Sequence, residues 1–502
     1  YKSQVADLSQ KDIPRDIIAL IPREVATQNN IVPIDRAGNN IIIAVVNPQD
    51  IATLDRVRFK TGYTPKAVMA PKNQIEKALK KYYRMKDLGI SKVSQKQSTQ
   101  KKETRYNVTA KNEDPITNLV DQVLLQCVQK QASDIHFEPY ETFQRIRLRI
   151  DGKLVEVSRP HHSQSATLSS RIKILAGMKI EERRLPQDGA INTTIDRKPI
   201  DFRASSLPVS NGEKIVLRIL DKSALNVDLT KLGFESDDFK KFRTAIHNPY
   251  GMVLVTGPTG SGKTTTLYSA LQELNTAEAN LMTAEDPIEF QLEGINQVHV
   301  DTNIGLTFAS ALKSFLRQDP DIIMVGEIRD RETGEIAIKA ALTGHMVLST
   351  LHTNTAPDTI VRLIDMGLEP FNIISSLNAI IAQRLLRKLC KACKSPSNEQ
   401  QIDEVRKHGV PDEIIKKAKL FSPVGCDECS DSGYSGRTAV HEVLAINDEI
   451  RQAIMNGQGS IELKLLARRS GMRTLRQNAL LKLLRGETDI TEVLSNTASD
   501  ER

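Results

Sequence analysis

A chain of 502 residues is long enough for about three domains, each with a core of its own. Hydrophobic residues make up 39% and charged residues 26%, and the longest apolar run, Ile41 to Val46, falls far short of the ~18 residues of a membrane span. With 69 basic residues against 62 acidic, the net charge of +7 permits an anionic partner but does not argue for one. The chain opens Tyr1-Lys2-Ser3, with neither signal peptide nor initiator Met. We therefore expect a soluble, intracellular protein lacking an N-terminal segment, with any membrane contact made through a partner.

Residues 1–83 have the pattern of a small α/β module. A helix is expected over Ile13–Ala19, opened by Asp12 and Pro14. Strands follow at Ile31–Pro33 and Ile41–Val46 around a Gly38-Asn39-Asn40 turn, then helices over Asp50–Gly62 and Asn73–Tyr82. Nothing in this stretch gathers chemistry, which favours docking or regulation. Residues 84–113 include a Ser/Gln/Lys-rich stretch, Lys92 to Lys102, expected to be a flexible linker. A nucleic-acid-binding arm would interleave aromatics with its lysines, and this segment does not.

Asp114-Pro115 marks a helix start, with Asp as N-cap and Pro in the first turn. Ile116, Leu119, Val120, Val123, Leu124 and Cys127 then recur at helical spacing, so Cys127 is expected in a core. Phe143 to Ile150 alternates apolar and arginine residues like a strand with one basic face, turning at Asp151-Gly152. The polar segment Arg183–Gly189 is expected to be a loop, and Asp201–Arg203 and Ile215–Leu220 to be strands. Residues 114–225 would thus form a sheet with flanking helices. Arg218 falls inside an apolar strand, where an unpartnered arginine is costly; either an internal salt bridge or a phosphate is required.

The strongest pattern lies at 251–265. The apolar run Met252–Val255 reads as a buried strand, followed by Gly257-Pro258-Thr259-Gly260-Ser261-Gly262-Lys263-Thr264-Thr265 and a helical stretch to Leu274. That order is a P-loop: backbone N–H groups and a helix N-terminus converge on phosphate, Lys263 reaches the β/γ-phosphates, and the Thr264 hydroxyl ligates Mg²⁺. Three further segments pair a short apolar run with a polar end: Leu281–Glu289, Asp319–Asp330 and Gly344–Thr353. In a parallel α/β sheet such ends meet at the ligand crevice, which would bring Glu285, Glu327 and His352 to the P-loop. Ile322 to Glu327 has the Walker-B pattern, with Glu327 on the Mg²⁺ side. Gly326 stands where many P-loop enzymes place that acid, which leaves two alternatives: one glutamate takes two roles, or Glu285 shares them.

Cys390-x-x-Cys393 and Cys426-x-x-Cys429 have the spacing of two zinc knuckles, giving a closed Cys₄ structural site over 390–430. The interval between them exceeds the usual roughly 15–20 residues, so it must hold a small helical insert over 399–418.

These segments, from Asp114 to about Val493, resemble the ATPases of the type II secretion and type IV pilus assembly family. The resemblance rests on the Ser133–Pro139 segment, the Arg184–Gly189 loop, the Walker A loop, the acidic pair Glu285-Asp286, the Asp319–Asp330 block and the histidine segment Gly344–Asn354. Residues 1–83 resemble the family's N-terminal domain more weakly. The resemblance implies a RecA-like P-loop ATPase core (226–389), preceded by a PAS-like α/β lobe (114–225) and followed by a helical part (431–502). It implies a homohexamer that binds ATP and Mg²⁺ between two lobes and works on an inner-membrane platform protein, peripheral to the cytoplasmic face. It places phosphate-reaching arginines at Arg203 and Arg218, the water-activating glutamate at Glu285, the Mg²⁺-side acid at Glu327 and a γ-phosphate contact at His352; exchanging the two glutamates would not contradict the sequence. Retraction motors of the family are shorter and lack the N-terminal module and the Cys₄ insert, so an extension or secretion motor is expected, with the connection near Lys222–Leu232 as hinge. Two rival readings are a nucleic-acid translocase and a nucleotide-gated scaffold that does not hydrolyse. The first is disfavoured by the absence of Trp and 4% aromatics, the second by the intact Glu285 and Glu327.

Overall fold

A computed structural model describes residues 8, 13–22, 25–26, 30–38, 40–48, 53–54, 57–58, 61, 63–83, 105–108, 114–220 and 228–500. The chain divides into two units, Tyr1–Lys101 and Lys102–Arg502.

In the first unit, a helix Arg15–Ala19 precedes strands β1 (Val32–Ala37), β2 (Asn40–Val45) and β3 (Thr64–Met69), and a helix Lys72–Tyr83 closes it. β1 and β2 are antiparallel around Gly38, whose φ of +61° suits a residue without Cβ. β3, which the sequence reading missed, lies parallel to β2 at the sheet edge, where Pro65 costs no ladder bond and Lys66 stays wet. Asp12 and most of the expected Asp50–Gly62 helix lie outside the described residues.

The second unit contains two seven-stranded sheets. The first has the order β4-β8-β9-β10-β5-β6-β7, from Tyr106–Asn107 (β4), Asp134–Pro139 (β5), Gln144–Ile150 (β6), Lys153–Ser158 (β7), Gln187–Ile195 (β8), Lys198–Val209 (β9) and Gly212–Leu220 (β10). All its pairings are antiparallel except β4 with β8. Two sequence expectations need correction. Residues 84–113 are not wholly linker, because Arg105 bonds Thr193 O (3.1 Å) and Asp201 (2.7 Å) and β4 joins the sheet. The polar loop ends at Gln187, where β8 already begins. The helix Pro115–Gln129 starts as expected, with Asp114 accepting from Thr117 N at 2.9 Å. Its Val120, Val123, Leu124 and Cys127 pack with Leu168 and Ile172 of the helix Ser165–Leu175 against Ile135, Phe137, Ile146, Phe202 and Leu217. One face of this sheet is therefore core, with one buried ion pair, Lys173–Glu213, and the other carries most of its charges.

The second sheet has the order β13-β12-β14-β15-β11-β16-β19: Gly251–Thr256 (β11), Leu281–Glu285 (β12), Asn296–His299 (β13), Ile322–Val325 (β14), Met346–Leu351 (β15), Leu377–Leu389 (β16) and Tyr434–Ala445 (β19). It is parallel except for β16 with β19. Every residue of β11, β14 and β15 is buried, since helices cover both faces. The seventh strand comes from beyond the cysteine pairs, in the stretch expected to be only helical. The insert between β16 and β19 holds two short strands, β17 (Ser395–Pro396) and β18 (Phe421–Ser422), around helices Glu399–Lys407 and Asp412–Ile415. Among the described residues, no helix is long and apolar enough to cross a membrane. Residues 221–227, most of the expected hinge, are not among those described.

Candidate active site: the cleft between the two sheets

β11 feeds the loop 257–262 into the helix Lys263–Leu274, whose N-cap is Gly262 in the left-handed region (φ +88°). A Cβ on Gly257 would come within 2.6 Å of Gln383 O, and one on Gly262 within 2.8 Å of Gln383 Nε2. Glycine is thus required by close packing as well as by φ. Gln383, buried on β16, braces the loop from behind: its Nε2 donates to Ser261 O (2.8 Å), and its Oε1 accepts from Thr266 Oγ1 (2.7 Å). Lys263 Nζ donates to Gly257 O (2.8 Å) and Pro258 O (3.1 Å), and burial lowers its pKa.

Above this loop lies a cleft of about 990 Å³, lined from one side by Thr259, Gly260, Gly262, Lys263, Thr264 and Thr265. Gly257, Pro258 and Ser261 form the back of the loop rather than the wall. The ends of the neighbouring parallel strands complete the wall with Glu285, Glu327 and His352, as expected. Glu285 is buried and held by three donors: Tyr268 Oη, Thr283 Oγ1 (2.5 Å) and Gln297 Nε2 (3.0 Å). Burial, and then the bond to Glu285, raise the Tyr268 pKa well above a free phenol's, so Tyr268 stays a donor. Glu327 is ion-paired with Arg329, and its other oxygen lies 3.4 Å from His352 Nε2. Asp330 caps the helix Arg331–Leu342 by accepting from Thr333 N (2.8 Å), fixing the backbone just after Arg329.

The opposite wall comes from the antiparallel sheet: Ser133, Asp134, Arg149, Gly152 and Arg218. Arg218 meets the first of the two conditions, an internal ion pair, and also lines the cleft. Its strand alternates, so Leu217 is buried while Arg218 is 55% exposed, and its Nε donates to Asp134 Oδ1 at 2.9 Å. Arg203 does not line the cleft. It sits directly opposite Arg218 on β9, one strand further from β5 and β6, and is half-buried. The two walls touch where Gly436 N donates to Asp151 Oδ2 (2.8 Å), with Arg437 Nε 3.7 Å from Asp151 Oδ1.

The sequence reading missed Asp134, Arg149, Tyr268, Arg329 and Arg437 as cleft residues. For Arg149 the signal was present in the alternation of β6. For Arg437 there was none, since only the return of β19 from the cysteine insert brings it there.

Cys390, Cys393, Cys426 and Cys429 place their sulfurs within 4.8 Å of one another, with Sγ–Sγ separations of 3.9, 3.7 and 3.7 Å between 390 and 426, 393 and 429, and 426 and 429. A tetrahedron with Zn–S bonds of about 2.3 Å has edges of about 3.8 Å, so the cluster fits a structural zinc. Backbone N–H groups of Gly425, Cys426 and Gly433 donate to these sulfurs at 3.2–3.3 Å, as thiolates would require.

A mainly parallel sheet with a P-loop after one interior strand, and acids at the ends of two other strands of the same sheet, defines a P-loop ATPase. The chain belongs to the type II/IV secretion system protein family, whose model matches residues 109–495, and an MshEN domain model matches residues 1–87. It is 48% identical to the type IV pilus assembly ATPase PilB of Myxococcus xanthus over the whole chain and 90% of that protein. It is 43% identical to type II secretion system protein E of Xanthomonas campestris pv. campestris, over 94% of this chain and 83% of the relative. The solved pilus retraction motor PilT with bound ADP is 27% identical, covers 74% of this chain and 95% of its own length, and superposes with a TM-score of 0.51. Membership of this family of secretion and pilus assembly ATPases makes the chain an ATP-hydrolysing enzyme.

Proposed function

We propose that the protein is a hexameric motor that spends ATP to assemble a type IV pilus or a type II secretion pseudopilus, acting at the cytoplasmic face of the inner membrane through a platform protein. The observation that carries this reading is the cleft itself, which gathers Lys263, Thr264, Glu285, Glu327, His352 and Arg218 in a chain similar to pilus assembly ATPases along its full length.

ATP would lie along the P-loop, its phosphates on the backbone N–H groups and Lys263. Thr264, exposed in the cleft, and Glu327 would hold Mg²⁺, whose role is to neutralise charge on the β- and γ-phosphates. Glu285, fixed by its three donors, orients the attacking water as an acceptor, and His352 meets the γ-phosphate. Arg218 lies across the cleft, where a guanidinium stabilises the charge spread over the transferred phosphoryl group. Arg203 reaches the phosphates only when the lobes close. Closure and reopening of the two walls convert hydrolysis into lobe rotation. The Cys₄ zinc holds the insert and the start of β19, and takes no part in the chemistry.

Steady-state ATPase activity against protein concentration, with and without phospholipid and the cytoplasmic part of a platform protein, tests the reading. Activity should rise with assembly and be stimulated by the platform. Activity indifferent to all three would refute the membrane-motor assignment.

A further inference from the structure

Asp134 opens β5, the strand between β6 and β10, and its register partners are Arg149 on one side and Arg218 on the other. Directly opposed residues share a face, so both arginines rise beside one carboxylate. That carboxylate is only 7% exposed and accepts from Ser133 Oγ (2.7 Å) and Arg218 Nε (2.9 Å), with Arg149 Nε at 3.5 Å. Both guanidinium groups are therefore held through Nε, at the root of the fork. Arg149 Nη1 is steadied by Gly152 O (3.0 Å), and neither Nη of Arg218 has a protein partner among the described residues. The Nη edge of Arg218, which suits a phosphate bidentately, remains available, and Arg149 keeps its Nη2. Both arginines line the cleft opposite Lys263 and Glu327.

We propose that Asp134 is a positioning residue that aims a two-arginine clamp at the terminal phosphate, with Arg149 as a further catalytic residue beside Arg218. This rests on the reading that Arg218 acts on the transferred phosphoryl group. Anchoring by Nε removes the rotamer freedom of two long side chains before the phosphate arrives, so the donors need no reorganisation as charge develops. The second tier of the same face is a built-in control. There Glu138 holds Arg145 through Nε, Arg147 through Nε and Nη2, and Lys214, but none of the four lines the cleft.

The test measures kcat and the affinity for a fluorescent ADP analogue in full-length Arg149→Ala, Asp134→Asn, Arg218→Ala and Arg147→Ala, with melting temperature as a check on folding. Arg149→Ala should lower kcat about 10²-fold, and Asp134→Asn by about 10-fold, with ADP affinity within about twofold. Asp134→Asn should add little to an Arg149→Ala/Arg218→Ala double variant, because it acts only through those two arginines, and Arg147→Ala should match the parent. Full kcat in Arg149→Ala and Asp134→Asn, with Arg218→Ala inactive, overturns the clamp. Full kcat in all three overturns the reading beneath it. A loss that tracks melting temperature, and appears equally in ADP affinity and in Arg147→Ala, makes Asp134 merely structural and also overturns the proposal.

Discussion

Two glutamates, one in each large sheet, show how differently the same side chain is used. Glu138, on the open face of the antiparallel sheet, is pushed up by partial burial, but bonds from Arg147, Lys214 and Arg145 outweigh this and bring it down to about 2. Glu442, on β19 of the mainly parallel sheet, has no such partners. Burial pushes it up to about 7, against the backbone N–H groups of Ala356 (2.8 Å) and Leu475 (3.4 Å). The antiparallel sheet spends one face on core and keeps the other for charge. The parallel sheet is buried on both faces, so its chemistry is confined to strand ends, and any acid within it is desolvated. The ATP cleft forms where the charged face of one meets the strand ends of the other.

The largest effect should come from the strand ends. Lys263→Ala removes the cation that the P-loop carbonyls hold, and hydrolysis measured by phosphate release should fall by about 10³-fold or more, with little change in melting temperature. Retained turnover would break the assignment of phosphate binding to the parallel sheet.

A smaller but broader effect should follow loss of the Cys₄ zinc. Gly433 N donates to Cys429 Sγ and Gly433 O accepts from Cys390 N, three residues before the Gly436 contact that joins the walls. A strong chelator, or Cys426→Ser, should release about one zinc per chain in a colorimetric assay and lower the melting temperature by several degrees. Undiminished stability without metal would separate β19 from the insert.

The smallest effect concerns the two glutamates. Glu442 has a folded-state pKa above its unfolded value, so the folded protein binds the extra proton. Its contribution is most favourable below about pH 4.5 and is lost as pH rises towards about 7, by roughly 3 kcal/mol. Glu138 has the opposite sign: its stabilisation is present above the ordinary carboxylate range and fades as pH falls towards about 2. Glu442→Gln, melted between pH 5 and 8, should therefore lose part of the parent's decline between about pH 5 and 7, whereas an unchanged slope would deny that Glu442 is desolvated.

How much of this could be read from the sequence follows the same division. The parallel sheet announces itself: Met252–Val255 and Ile322–Val325 are unbroken apolar runs, each followed within a few residues by polar ones, so Lys263, Glu285, Glu327 and His352 could all be placed at the cleft. The antiparallel sheet alternates instead, and alternation tells which residues share a face but not where along the face the ligand sits. Arg218 stands out as an arginine in an apolar strand, Arg203 is grouped with it only by the family resemblance and lies one strand away from the cleft edge, and Arg149 reads only as part of a basic strand. Arg437 and the seventh strand were illegible, because they depend on a return across the cysteine insert. β3 was missed because an edge strand with Pro65 and Lys66 lacks the apolar run that marks a central one.

The central claim is that the charged face of the antiparallel sheet completes an ATP site built on the parallel one. Single-turnover hydrolysis by Arg218→Ala at saturating ATP tests it most directly. The account predicts that ATP still binds to the P-loop wall while the rate of hydrolysis falls about 10²-fold, with melting temperature held because the side chain is exposed. Hydrolysis at the parental rate would mean that the parallel sheet works alone, and would contradict the account.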